Sequence, residues 1–342
     1  MRFGKFLISP FIVLAVLLLP LSLAPAAAQA LKKFTFILDF LPNGEYSPYF
    51  AAKAKGFYKE EGLDVQILRG SGSADTIKRI LSGEGQAGSA DFSTLIGARM
   101  TEGANVRGII AYMRRTSNAI FVLSDSNINS IKDLRGKKIG TTPGNSHLVL
   151  WPIVAAQAGI PADSVTWVTM DGAALGPALI SRQLDAAPFG AQHEGRLQKQ
   201  AKEMAGVSLK LFKYADNGLG SYGLSTFASD EAIKKDPEML KAFVRATIRG
   251  MKYAFTEGNF EECAKYVVAE NPVIDLEGAT GAVKAAAGLS NTDEIKSGSV
   301  AVGQFEPARV QTSRDVTVKY LQLKGQVEVS DLFTNALLPT VK

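Results

Sequence analysis

The chain has 342 residues, of which 38 are basic, 33 acidic and one a cysteine, with 46% hydrophobic side chains. So small a charge excess, without a basic run or a basic patch interleaved with aromatics, excludes nucleic acid as an expected partner. The lone Cys263 excludes an internal disulfide, so the fold must hold through its core, and the length predicts that this core is divided between two lobes.

Residues 1–30 read as a secretory signal peptide. Arg2 and Lys5 form its basic start, residues 11–23 an apolar core interrupted by Pro20 and Ser22, and Ala28, Gln29 and Ala30 a cleavage site cut after Ala30. A spanning helix would want about 20 uninterrupted apolar residues, so a soluble product in the periplasm is expected. With no cysteine near the cut, it is released there rather than lipid-anchored. Cleavage removes two basic residues and no acidic one, which leaves 36 basic against 33 acidic side chains.

Residues 34–38 predict a strand, Pro42, Asn43 and Gly44 a turn, residues 46–58 a helix closed by Gly62, and residues 65–68 a second strand. In such a βαβ unit the loop after the first strand lies at the carboxyl edge of a parallel sheet, where open α/β sheets bind ligands. Asp39, Asn43, Tyr46 and Tyr49 are therefore candidates. The glycine and serine turn at 69–75 leads into a helix at 76–82, with Ser73 or Asp75 as N-cap. Residues 86–91 predict a short strand that brings Ser89 and Asp91 to the same edge, before a helix at 92–100 and strands at 106–112 and 119–123. Asp39 and Asp91 also have the chemistry of helix caps. The alternation predicts a mostly parallel sheet flanked by helices.

The polar connector 124–130 opens the second lobe. A short helix, a turn at Gly136 and a strand from Lys138 precede the loop 141–146, which carries Asn145, and a helix at 147–159. Strands at 165–170 and 184–189, the latter ending in Phe189, enclose a helix at 176–181; Glu194 lies in the following loop, with Arg182 or Arg196 as an alternative ion-pair partner. After a strand at 210–215, residues 218–223 read as a flexible crossing that carries Tyr222. Asp236 and Pro237 mark the start of a helix with an apolar stripe from Leu240 to Phe255, stopped by Gly258. The helical segments after it are expected to cover the first lobe. Cys263 reads as a buried packing residue, and His147 and His193 as cleft-wall or capping residues.

Four runs carry a family resemblance: GFYKEEGLDV at 56–65, IKDLRGKKIG at 131–140, SRQLDA at 181–186, and SDEAIKKDPE at 229–238 with FVRATIRGMKYA at 243–254. In this order they resemble the periplasmic solute-binding proteins of ABC importers, in the branch of the thiamine-pyrimidine binders, with sulfonate, taurine and nitrate binders as cousins. The resemblance implies a type II periplasmic binding protein, two α/β lobes joined by two crossing strands. Lobe one takes residues 31–121 and 225–342, and lobe two residues 122–224. It also implies closure of the lobes on a small-molecule solute and an inner-membrane ABC permease with its ATPase as partner. A monomer is expected. Asp39, Phe40, Pro42 and Asn43 fit the opening pattern of the pyrimidine branch, but Tyr46 and Pro48 stand where many members have His and Gly.

The candidate site is thus Asp39, Asn43, Tyr46, Tyr49, Ser89, Asp91, Asn145, Phe189, Glu194 and Tyr222. It is rich in carboxylates and aromatic rings and lacks an arginine at a strand end. A carboxylate buried on closure needs a donor partner, which favours a nitrogen-containing aromatic solute of aminopyrimidine type. Helix N-termini at 71–73 and 141–146 keep a small anion such as a sulfonate or nitrate as the alternative. A pyrimidine-processing enzyme on the same fold is a second alternative. Two histidines and one cysteine are too few for a metal or catalytic constellation, so no cofactor and no catalytic residue are expected.

Overall fold

The computed structural model describes Met1, Gly4 and residues 30–339. The expected signal peptide therefore falls largely outside the described residues. Ten strands are described: β1 (Lys32–Ile37), β2 (Leu63–Leu68), β3 (Ala87–Asp91), β4 (Val106–Ile110), β5 (Asn118–Leu123), β6 (Lys138–Thr141), β7 (Thr166–Thr169), β8 (Ala186–Gly190), β9 (Leu209–Lys213) and β10 (Leu224–Ser229). They form two five-stranded sheets, ordered β2-β1-β3-β10-β4 and β7-β6-β8-β5-β9. With helices packed on both, the molecule is a two-lobed α/β protein.

Four helices lie between the strands of the first sheet: α1 (Ser47–Ala54), α2 (Phe57–Glu60), α3 (Ser73–Leu81) and α4 (Phe92–Thr101). Those of the second are α5 (Ser146–Gln157), α6 (Gly172–Ile180) and α7 (Glu194–Ala205). The C-terminal part adds α8 (Asp230–Lys235), α9 (Pro237–Ala254), α10 (Phe260–Glu270), α11 (Leu276–Ser290), α12 (Asp293–Lys296), α13 (Pro307–Tyr320) and α14 (Val329–Leu332).

Each sheet is more mixed than the sequence predicts. β1 is parallel to β2 and β3, but β10 runs antiparallel to both β3 and β4. In the second sheet β6 is parallel to β7 and β8, and β5 runs antiparallel to both β8 and β9. The cause is the double crossing. β4 ends at the cleft, so the chain enters the second sheet from the cleft side as β5 and must run away from it; β9 and β10 repeat this on the return. The ends of β1, β3, β6 and β8 therefore all face the starts of β5 and β10. The two crossing segments bond to each other, Met113 N to Leu224 O at 2.7 Å and Gly223 N to Met113 O at 3.0 Å. β5 lies wholly in the second sheet, so the chain has crossed by Asn118, earlier than the expected boundary at 121.

Local chemistry explains the elements. Along β1, Phe34 and Phe36 point to one face and Ile37 to the other, following the two-residue period of a strand. Phe34 and Phe36 meet Phe243 of α9, with ring centroids 4.4 and 5.3 Å apart. The Asp236 carboxylate accepts from Met239 N at 3.0 Å and Pro237 opens α9, as expected. Cys263 is fully buried in the same cluster, and burial pushes its thiol up to about 12. Gly56 takes φ 78 and splits the helix expected over 46–58 into α1 and α2. Ser73 is not a side-chain cap; α3 starts after Gly72, and the Ser73 hydroxyl is used elsewhere. Nor does the C-terminal part cover lobe one alone, because Val316 and Tyr320 of α13 pack against the second sheet's core.

Candidate functional site

Where the strand ends meet lies a cavity of about 70 Å3 open to the centre of a water molecule. From the first lobe it is lined by Asp39, Phe40, Glu45, Tyr46, Ser73 and Asp91, and from the second by Asn118, Asn145, His147, Phe189, Gln192 and His193. The lobes touch around it. Asn43 Nδ2 is 2.6 Å from His193 Nδ1, Glu45 Oε2 accepts from Gln192 Nε2 at 2.8 Å and lies 3.2 Å from His193 Nε2, and Asn118 Nδ2 donates to Asp91 Oδ2 at 3.2 Å. Backbones also meet: Ala74 N donates to Gly144 O at 3.0 Å, and Thr142 Oγ1 to Ser71 O at 2.7 Å.

Asp39 follows β1 and is caged by hydroxyls. Tyr46 and Ser89 donate to Oδ1 at 2.9 and 2.7 Å, and Ser73 to Oδ2 at 3.1 Å. Burial raises its pKa, with a smaller push from Glu45, against the hydroxyls that lower it. Tyr46 is itself buried, and burial and the charge of Asp39 hold its pKa well above the usual phenol value, so it remains a donor. Burial would also raise Glu45, but the charge and hydrogen bond of His193, with those of Gln192 and Tyr46, outweigh it and hold this carboxyl low. Burial pushes His147 down to about 4. Its two ring nitrogens face Asn145 Oδ1 at 3.0 Å and the Phe189 carbonyl at 3.1 Å, and a neutral ring can donate to only one of them.

Asp91 ends β3 and caps α4 by accepting from Ser93 N at 3.0 Å. Burial, with a contribution from Asp39, pushes it up to about 7. Between the unfolded value of 3.8 and about 7 the folded state holds a proton that the unfolded state has lost, so this group's contribution to stability is full below about 4 and is lost as pH rises through 7. The loss is on the order of 4 kcal/mol at 1.36 kcal/mol per unit. Asp91→Asn keeps the cap. Its melting temperature is expected to match the wild type near pH 4 and to exceed it increasingly up to pH 8 in thermal melts; a constant difference across that range would contradict a raised pKa. His147 acts in the opposite sense, because its lowered pKa makes stability rise with pH from about 4 to 6.5.

The structure brings Asp39, Tyr46, Asp91, Asn145 and Phe189 to one cavity. Asn43 is not among the lining residues; it is tied to His193 and caps the following turn by accepting from Gly44 N. Ser89 is fully buried behind Asp39. Tyr49 lies deeper still, bonded to Thr226 Oγ1 at 2.8 Å and stacked on Tyr112 at 5.0 Å, because α1 turns that face into the core. Tyr222 does not face the cavity. It packs against Phe92 and Phe305, and its hydroxyl accepts from Glu306 N at 3.0 Å. Glu194 starts α7 and points to solvent, while Arg182, its suggested partner, pairs with Asp125 at 2.7 Å. Sequence reasoning passed over Glu45 and Gln192. The signal that could have found them is position, since each adjoins a strand-end loop already singled out.

The described residues contain no helix long and apolar enough to cross a membrane and no group of three or more metal-ligating side chains. The fold and the cleft at the strand ends define the architecture of a periplasmic binding protein. Residues 43–258 match the model of the NMT1/THI5-like family, and the chain belongs to that family. A riboflavin-binding protein, RibY, of Chloroflexus aurantiacus is 28% identical over 67% of this chain and 64% of its own. The 4-amino-5-hydroxymethyl-2-methylpyrimidine phosphate synthase of Schizosaccharomyces pombe is 26% identical over 63% of each chain. A formylaminopyrimidine-binding protein of Halalkalibacterium halodurans is 28% identical over 66% of this chain and 67% of its own. The chain thus matches less than two thirds of the length of the first two. Among solved structures, the alkanesulfonate-binding protein SsuA of Xanthomonas axonopodis pv. citri aligns with a TM-score of 0.68 at 15% identity, over 90% of this chain and 98% of that one.

Proposed function

We propose that the protein is the periplasmic substrate-binding component of an ABC importer, acting as a monomer, and that it captures a nitrogen-containing aromatic solute of aminopyrimidine type between its lobes. The observation that carries the reading is the polarity of the inner cavity. Three carboxylates, Asp39, Glu45 and Asp91, line it beside the rings of Phe40, Tyr46 and Phe189, and no lysine or arginine is among its described lining residues. Gln192 Oε1 is buried there without a hydrogen-bond partner among the described residues. Such a wall wants N–H donors on a flat ring. A sulfonate or nitrate would instead meet like charge, which disfavours the anion alternative at this cavity.

The expected lobe division, 31–121 with 225–342 against 122–224, belongs to this reading with the first boundary moved to about 117. The permease would recognise the closed pair of lobes. His147 and His193, both in the cavity wall, favour one second reading, a pyrimidine-processing enzyme, which the name of the Schizosaccharomyces pombe relative also carries.

A thermal-shift screen over aminopyrimidines, flavins, alkanesulfonates and nitrate, with mass spectrometry of each mixture, decides between these. A ligand at a hundred times its Kd stabilises by about 2.7 kcal/mol, so a rise of several degrees is expected for an aminopyrimidine without change in its mass. Stabilisation by sulfonate or nitrate alone would overturn the ring reading, and turnover would replace binding by catalysis.

A further inference from the structure

We infer that the wider chamber at the mouth of the cleft is an anion subsite built on Arg196, which takes a phosphate or carboxylate carried on a short arm of the ring held within. This rests on the ring-binding reading and extends it. The chamber, about 580 Å3 by the same measure, continues from the inner cavity past Phe40 and Phe189, which line both.

Arg196 lies in the first turn of α7, with its guanidinium carbon 6.0 Å from the Phe189 ring centroid. Its Nε is buried without a hydrogen-bond partner, and no carboxylate closes on it as an ion pair among the described residues. The neighbouring cations are already engaged: Arg69 with Asp171 at 3.6 Å, and Lys199 with Asp275 at 3.4 Å and Glu277 at 3.3 Å. Glu45 and Asp275 support the charge of Arg196 only at a distance, and burial pushes its pKa below the ordinary value.

A largely buried guanidinium without an ion-pair partner is costly, and a planar fork of donors is suited to phosphate or carboxylate. One turn further on, Gln200 Oε1 is also buried without a partner, and it offers an acceptor to a hydroxyl or a protonated phosphate oxygen. The balance of charge therefore shifts along the cleft, from carboxylates around the ring to a mouth where Arg69, Arg196 and Lys199 face Asp275 and Glu203, with Arg196 the cation left unengaged among the described residues. The stem of Arg196 is fixed from the other lobe. A Cβ on Gly278 would stand 3.0 Å from Arg196 Cβ, so α11 packs directly against this stem and a larger residue there would have to push it aside.

Calorimetry would compare wild type, Arg196→Gln and Arg196→Lys with 4-amino-5-hydroxymethyl-2-methylpyrimidine, its phosphate ester, and inorganic phosphate alone. A charge-assisted hydrogen bond contributes about 1.5–3 kcal/mol, so the ester is expected to bind wild type at least about tenfold more tightly than the alcohol. That preference should vanish in Arg196→Gln, survive in part in Arg196→Lys, and leave the alcohol's affinity unchanged. Equal binding of ester and alcohol to wild type, or a preference that survives Arg196→Gln, overturns the subsite while the ring reading stands. If neither pyrimidine binds, the ring reading fails and inorganic phosphate decides: a melting-temperature rise in wild type that Arg196→Gln abolishes supports the subsite, and an equal or absent rise overturns it.

Discussion

Asp39→Asn is expected to weaken binding of an amine-bearing ring by about a hundredfold and to leave the melting temperature unchanged or higher. Removing one partner of a buried charged pair costs about 2–5 kcal/mol of binding, and the lower half of that range gives the stated factor. Stability should not fall in parallel. Burial raises the pKa of Asp39, which means that the empty protein holds this charge at a cost. The three hydroxyls around it, from Tyr46, Ser73 and Ser89, can rotate to serve an amide. Calorimetric titration and thermal melts of the same preparation separate the two effects. Equal loss in both would make Asp39 a structural residue, and unchanged affinity would remove it from the ligand's contacts.

Gly144→Val is expected to weaken ligand binding about 10- to 100-fold by holding the lobes apart. A Cβ at Gly144 would stand 2.6 Å from Asp75 N in the opposite lobe, a backbone atom that cannot swing away. Overpacking of this kind costs roughly 1–3 kcal/mol, and the cost falls on the closed form alone. Gly144 also has φ 69, which penalises valine in open and closed forms alike. Gly159 supplies the control, since it has the same φ of 69 and nothing within 4 Å of its Cβ position. Both variants should lose similar melting temperature, but only Gly144→Val should lose affinity and retain a larger radius of gyration by small-angle scattering at saturating ligand. A compact Gly144→Val with wild-type affinity would remove the backbone contact from the closure mechanism.

The elements most legible in the sequence were those with local punctuation. Asp236 with Pro237 marks the start of α9, and α10 over Phe260–Glu270 is one of the helical segments expected after it, because caps and apolar period act over a few residues. β10 was hidden because Leu224–Ser229 mixes small polar and apolar residues after a glycine-rich run. Its burial comes from β3 and β4 on either side, which no local pattern reports. The same distinction runs through the site. Asp39 and Asp91 are set at strand ends by topology and could be read. Tyr49 lies only three residues from Tyr46 and shares its composition cues, yet the turn into α1 sends one ring to the cavity and the other to the core. Glu45 becomes a neighbour of Gln192 and His193 only when the lobes meet, a long-range event that sequence spacing does not encode.

The placement of β10 also sets an order of assembly. It lies inside the first sheet, between β3 and β4, yet the ribosome makes it only after every strand of the second sheet. The second sheet can therefore gather from one unbroken stretch of nascent chain, whereas the first must hold a gap open between β3 and β4 until more than a hundred further residues have emerged. Loop closure over that separation makes the enclosing lobe the late and slow event. A chain built in this order stays incomplete, and so threadable, for most of its synthesis.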